Sequence, residues 1–398
     1  MAEVAVVTYN VHSCVGTDGH YSMDRIARLV QREHPDIVCF QEIEVTTTTT
    51  TTTTNNNTKN KNSNNTKQQQ HEDDEEDEDD DEEEEQQQGH QTRMWSAKHF
   101  DNQPEYIAKM LRLDHVAFAS AISSKVVVDD GSYIPYPYCR KELHNKPNNV
   151  GDTIGQFGVC ILSRYPILET KRFKYTQYGS RTQKNTIACL VQIPSSNTTT
   201  NDDDDDDDET TTGTSVWIIN THLGSHPTGN EQFQQATELS KVIQSLIDDN
   251  DTTNPIPGIA GIILCGDFNS LPFFQSIQTL IDIGMKDVWK QKEDEGGGIG
   301  WGHTFPAPGG LVVPCTSIIP PLMRLDYLFT TSLKRYTIHT LSIHVVNQGT
   351  SIVATASNSD SDNSNSNDDG DSDKILIDIK ASDHLALSAM FSIERNSI

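Results

Sequence analysis

The stretch GIILCGDFNS, residues 261–270, runs an unbroken apolar segment straight into a polar tip. Gly261–Cys265 has no polar side chain, which predicts a short strand buried on both faces. The tip then places Asp267 and Asn269 just past it. The arrangement recurs along the chain. VAVVTYN (4–10) ends on Asn10, DIVCFQE (36–42) on Glu42 and VWIINTH (216–222) on His222. RLDYLF (324–329) carries Asp326 inside an apolar run, and SDH (382–384) sets Asp383 and His384 ahead of another. Loops at strand C-termini are where open sheets collect functional groups. The set amounts to four carboxylates, two imidazoles and two amides, with no serine or cysteine in an activated setting. Singly, each has a plainer reading. Asn10 suits a turn, Glu42 a solvated loop, GDFN an Asx-capped corner and Asp383–His384 a cap. Asp326 could pair structurally with Arg324, although alternation puts both on one face.

Composition narrows the classes. The 398-residue chain has a formal charge of -28, but its acid is concentrated. Residues 72–85 are fourteen consecutive acids, 202–209 eight more, and 360–373 include six aspartates. Outside these runs the balance is close to neutral, so no strongly basic domain argues for a dedicated nucleic-acid binder. The longest uncharged apolar stretch, Pro255–Cys265, is about half the ~20 residues a membrane span needs. MAEVAVVTYN has neither a basic n-region nor an h-region, so no signal peptide is expected. The seven scattered cysteines form no CxxC pair, which fits a reduced protein without a zinc site. The cytoplasm is the expected compartment, and nothing conflicts with the nucleus.

Segments 46–92, 195–214 and 357–373 are low-complexity runs that cannot bury enough apolar surface to offset their ordering entropy. Each falls between periodic segments, as a loop insertion does, and loop closure costs only about 0.6 kcal/mol per doubling of length. The expectation is one domain over 1–398 interrupted three times. Elsewhere the pattern predicts helices over 24–33, 104–113 and 231–247. Strands are predicted over 4–9, 36–40, 159–162, 186–193, 216–220, 261–265, 325–329, 337–345, 374–379 and 385–391. Strands outnumber helices and adjoin one another late in the chain, so the class is α/β without a simple βαβ repeat.

The order TYNVHS (8–13), QE (41–42), FGVCILSRYPI (157–167), NTHLG (220–224), GDFNS (266–270), RLDYLF (324–329) and SDH (382–384) resembles the endonuclease/exonuclease/phosphatase superfamily, the DNase I-like metal-dependent phosphoesterases. YNVHSCVGTDG and HTFPAP (303–308) are most similar to a small intracellular branch related to proteins of GPI-anchor lipid remodelling. The resemblance implies a four-layer α/β/β/α sandwich, two mixed sheets face to face with helices outside. It further implies Mg²⁺, with Mn²⁺ as a substitute, held mainly by Glu42 with Asn10 and Asp383 close to it. Asp267 would orient or deprotonate the attacking water, and Asn269 would hold the phosphate. Asp326 would fix the tautomer of His384, and His222 would donate to a phosphoryl oxygen. Either Asp267 or His384 would be the base. Arg164 and Arg181 are candidate phosphate clamps, and His12 and His303 candidate pocket-lining residues.

The activity so implied is hydrolysis of a phosphodiester or phosphomonoester by in-line attack of water. A small or lipid phosphoester is preferred, because no dense basic run offers a groove to nucleic acid and a fourteen-acid tract follows the Glu42 strand. A DNA or RNA endo- or exonuclease of the same superfamily is the alternative. From another class, a non-catalytic module could use the acidic tracts to engage basic partners. Membrane contact would be weak, since no basic amphipathic helix is present.

Overall fold

The computed structural model describes residues 1–16, 21–48, 102–125, 153–176, 183–194, 213–252, 258–296, 302–305, 323–333, 335–346, 351–354, 375–378, 382 and 384–396. Most of the three insertions lies outside these residues, as do Arg181 and Asp383.

Fourteen strands are described, in chain order: β1 (Ala2–Asn10), β2 (Ile37–Thr48), β3 (His115–Lys125), β4 (Thr153–Ser163), β5 (Ile167–Lys174), β6 (Asn185–Ile193), β7 (Thr214–His222), β8 (Ile259–Asp267), β9 (Lys286–Asp287), β10 (Asp326–Ser332), β11 (Tyr336–Val345), β12 (Ser351–Ala354), β13 (Ile375–Asp378) and β14 (Leu387–Arg395). They form one six-stranded sheet in the order β11-β14-β1-β2-β4-β3, a second in the order β5-β6-β7-β8-β10-β9, and the short pair β12-β13. Both large sheets are mixed: β1 is parallel to β2 and antiparallel to β14, and β7 is parallel to β8, which is antiparallel to β10.

Alternation explains the layers. Val4 and Val6 of β1 meet Ile263 and Cys265 of β8 in an apolar cluster between the sheets. Val7 and Tyr9 point the other way, onto Ile26 of helix α1 (Met23–Gln31) and Ile107 of α2 (Gln103–Leu111). On the far side Ile262 and Leu264 pack on Leu239 and Ile243 of α3 (Asn230–Thr252) and Ile277 of α4 (Gln275–Asp282). A last short helix, α5 (Val288–Asp294), follows β9. The result is the expected sandwich of two sheets with outer helices.

Helix ends follow local chemistry. Ser22 caps α1 by accepting from the Arg25 N–H, and Asn102 caps α2 with Pro104 in its first turn. Arg112 stops α2 in the left-handed region at φ 58°. Boundaries shift from the sequence expectation in two instructive places. Thr46–Thr48 is not yet insertion but the end of β2, paired with Gly155, Ile154 and Thr153 of β4, so the ladder runs past the expected boundary. The second insertion likewise gives way one residue early, at Thr214, where β7 begins. Among the described residues no helix is long and apolar enough to cross a membrane.

Candidate active site

One end of the sandwich gathers the polar tips. β1, β7 and β8 finish there, and β10 and β14 begin there. Register fixes the neighbours: His222 lies beside Asp267 in the parallel β7–β8 pair, and Asp326 is opposite Asp267 across β8–β10. The close approach of β7 to β8 needs Gly266. Its φ is +143°, and a Cβ there would stand 1.9 Å from the Thr221 carbonyl oxygen.

Asp267 is the hub. It is 1% exposed, and its Oδ2 accepts from Asn10 Nδ2 at 3.0 Å. The same oxygen lies 3.6 Å from His222 Nε2 and 3.7 Å from His384 Nε2. Its Oδ1 accepts from the Asn269 backbone N–H at 2.8 Å, an Asx corner that holds Asn269 at φ 47°. Burial pushes the Asp267 carboxyl up to about 7; the charge of His384 and the Asn10 and Asn269 hydrogen bonds offset part of that rise, and Asp326 adds to it.

His384 and Asp326 make a tight pair, Nδ1 to Oδ2 at 2.9 Å, both buried. The HTF segment braces this pair. Thr304 Oγ1 accepts from the backbone N–H groups of Leu325 and Asp326, and its carbonyl accepts from Leu385 N–H. The Phe305 ring tilts against His384 with centroids 4.8 Å apart. The alternative pairing of Asp326 with Arg324 is not formed. Arg324 instead makes a buried bidentate bridge to Asp287, at 3.1 and 2.7 Å.

His222 carries a residue that sequence reasoning missed. Lys184, 7% exposed, brings its Nζ to 2.9 Å from His222 Nε2. Asn269 Nδ2 stands 3.3 Å from the same nitrogen. Burial first, then the positive charges of Lys184 and His384, hold His222 well below the usual histidine value. Lys184 and Asn269 thus both face the ring expected to donate to a phosphoryl oxygen. Burial also lowers the Lys184 amine, against the pull of Glu42, Asp267 and Glu231. A lone lysine in QKNT gave no pattern. Its burial comes from the pairing of Asn185 with His222 across β6–β7.

Glu42 sits on a β-bulge of β2, where the register slips between Phe40 and Ile43, at φ 56°. A non-glycine residue held there stores about 1–3 kcal/mol, a cost that clusters at functional sites. The bulge turns the carboxylate toward the other sheet, with Oε1 3.6 Å from His222 Nε2 and the side chain 23% exposed. Beneath it Gln41 Nε2 donates to Asn220 Oδ1 at 2.6 Å, tying the sheets together under the site.

The remaining expected residues divide. The backbone of His12 reaches the cluster, its N–H donating to Asn10 Oδ1, while its side chain is exposed. His303 is half-buried in the bracing HTF segment. Ser382 Oγ donates to the Asn10 carbonyl, which fixes the chain on one side of Asp383. Arg164 is elsewhere. It follows β4 at the opposite end of the sheet, bonded to Asp36 Oδ1 and the Pro35 carbonyl, so the clamp expected of it is not built.

The donors suit a hard divalent cation. Glu42, Asp267 and Asn10 offer carboxylate and amide oxygens, and buried Asp326 Oδ1 has no hydrogen-bond partner among the described residues. An oxygen of Asp267, one of Asp326 and a ring nitrogen of His384 also lie within 4.8 Å of one another. In that trio the 2.9 Å hydrogen bond engages both Asp326 Oδ2 and His384 Nδ1, which better suits proton handling than a metal cage.

The sequence matches the model of the Endonuclease/Exonuclease/phosphatase family over residues 7–384. The chain belongs to this family. No curated protein matches the sequence. Among solved structures, the endonuclease/exonuclease/phosphatase from Beutenbergia cavernae DSM 12333 is similar at 15% identity and a TM-score of 0.51, covering 100% of this chain and 72% of that one. D. rerio TDP2 complexed with single strand DNA product is similar at 13% identity and a TM-score of 0.46, covering 98% of this chain and 100% of that one. The human Nocturnin catalytic domain with bound sulfate anion is similar at 13% and 0.47, covering 99% and 94%. At these identities the likeness is one of fold. Family membership supports a hydrolase of the phosphoesterase or nuclease type.

Proposed function

We propose that this family member is a Mg²⁺-dependent phosphoesterase that hydrolyses a small or lipid phosphoester by in-line attack of water. The supporting observation is the convergence on buried Asp267 of Asn10, Asn269, His222 and His384 from both sheets. Glu42, with Asn10 and Asp383, would hold the cation, which when bound would neutralise charge on the phosphoryl oxygens. Asp267 orients or deprotonates the water, its carboxylate held for this by the Asn10 and Asn269 hydrogen bonds. His384 shares that proton-handling surface, its tautomer fixed by Asp326. His222 would donate to a phosphoryl oxygen and Asn269 would hold the phosphate, with Lys184 beside the His222 ring adding positive charge. The preference for small or lipid esters rests on the missing basic run and on the acidic tract after β2.

The deciding measurement is Mg²⁺-dependent hydrolysis of supercoiled plasmid, single-stranded RNA, phosphoinositides, sphingomyelin and bis-p-nitrophenyl phosphate. Asp267→Ala and EDTA serve as controls. Activity on a lipid or small ester, lost in both controls, supports the proposal. Preference for plasmid or RNA converts it to a nuclease. Silence throughout, with no Mg²⁺ binding, favours a module that binds basic partners.

A further inference from the structure

We infer that Gln103 is a positioning residue for the site, holding together the two strained segments that present Asn10 and Glu42. This rests on the cation-binding reading above for its functional consequence, though not for its structural one. Directly after Asn10 the chain makes a tight turn in which His12, Ser13 and Cys14 have φ of 45°, 54° and 62°. None of the three is glycine, and each left-handed residue costs roughly 1–2 kcal/mol. That turn orients Asn10, since the His12 N–H donates to Asn10 Oδ1 at 3.1 Å and leaves Nδ2 facing Asp267. The second strained point is the Glu42 bulge.

β1 stops pairing with β2 where the turn begins. The last ladder positions are Asn10 opposite Gln41, followed by the Val11 N–H to the Gln41 carbonyl. Past the bulge, Glu44 is paired on one side with Phe157 of β4. On its other side the neighbouring strand has gone. Gln103 fills that place. Its Oε1 accepts from the Glu44 N–H at 2.8 Å, while its Nε2 donates to the Ser13 carbonyl at 3.1 Å and lies 3.4 Å from Tyr21 Oη. A primary amide offers an acceptor and donors as a peptide group does, so one side chain replaces the missing rung and ties it to the left-handed turn. Gln103 is fully buried at the start of α2, and the adjoining Asn102 bridges Val45. A buried amide has no water to substitute for these partners, so removing it releases both segments.

Gln103→Met keeps the volume and removes both hydrogen bonds; Gln103→Glu keeps the acceptor and, at a pH where it is ionised, removes the donor. Ile243→Ala, in the α3 core, controls for general destabilisation. Amide hydrogen exchange in EDTA reads the positioning without any metal. In Gln103→Met exchange should quicken at Val11–Val15 and at Glu44, and in Gln103→Glu at Val11–Val15 only. Ile243→Ala should favour neither segment. Calorimetry with Mg²⁺ alone should show a Kd raised about tenfold in Gln103→Met, the usual scale for a residue supporting ligands, and within about twofold of wild type in Ile243→Ala. Unchanged exchange at both segments in both Gln103 variants overturns the inference, as does a Kd that follows stability alone. If the wild type binds no Mg²⁺, the cation-binding reading fails while the exchange pattern still decides the role of Gln103.

Discussion

Asp287 and Asp267 are both buried aspartates in the second sheet, yet they stand in opposite surroundings. Asp287 is compensated. Arg324 grips it with two hydrogen bonds, and its Oδ1 caps α5 by accepting from the Trp289 and Lys290 N–H groups. The guanidinium also lies 4.6 Å over the Tyr327 ring. Asp267 has amides and two imidazoles around it but, among the described residues, no lysine or arginine in contact, and its carboxyl is pushed up to about 7 by burial. One acid is part of the frame, the other is left short of positive charge at the mouth of the site. A buried carboxylate whose charge the protein leaves unbalanced marks a place where something from outside completes it.

The difference can be broken from either side. The largest effect is expected on the site. Asp326→Asn should lower kcat by about 10²–10⁴ through His384, the scale of a lost proton-transfer partner, while the melting temperature stays near wild type. A matching loss of stability would place Asp326 in the frame with Asp287. Next comes Asp287→Asn, which keeps an α5 cap but strands the Arg324 guanidinium, 7% exposed, without its countercharge. Denaturant unfolding should show a loss of about 3–5 kcal/mol, with activity per folded molecule within about twofold. If activity collapsed instead, the frame and the site would not be separable.

Smaller, and sharper, is the pH dependence of Asp267 without metal. Its folded value near 7 lies above the ~3.9 of an unfolded aspartate. Between those values the unfolded chain ionises while the fold keeps the proton. Stability from this group is therefore complete below about pH 4 and lost as pH rises through about 7. Asp267→Asn should melt a few degrees above wild type at pH 8 in EDTA, and the gap should close towards pH 4. A gap independent of pH would rule out the carboxylate as its cause. Least of all, deleting residues 46–92 should raise any plasmid or RNA cleavage, and chiefly at low ionic strength, where the fourteen acids that follow β2 in the sequence repel a polyanion most. An unchanged salt profile would show the tract to be inert toward such substrates.

The polar tips of β1, β2, β7 and β8 were legible because buried strands leave a plain apolar run before each. The unread parts share a different physics. β5 (ILETKRFK) is an edge strand, charged because its outer rim faces water, so it carries no buried-strand signature. β3 is dominated by alanine and serine, small enough to pack but weak as an apolar pattern. α4 and α5 span only eight and seven residues, too short for helical periodicity to emerge. Lys184 and Gln103 owe their places to pairings between distant segments, which no local window contains. Arg164 shows the reverse error, because a family-like stretch put an arginine in view while the antiparallel run of β4 carried it to the far end.

Asn10 and its supports come from both extremes of the chain: Asp267 is 257 residues away, and Ser382, which grips the Asn10 carbonyl, is 372 away. At typical rates of about 5–20 residues per second, β1 would wait on the order of 20–75 s during synthesis before β14 exists to pair with it. For that interval the VAVV run keeps one rim open, the kind of surface that invites wrong partners. A ribosome-bound nascent chain short of Ser382 would hold almost every group the chemistry needs and still have no assembled site.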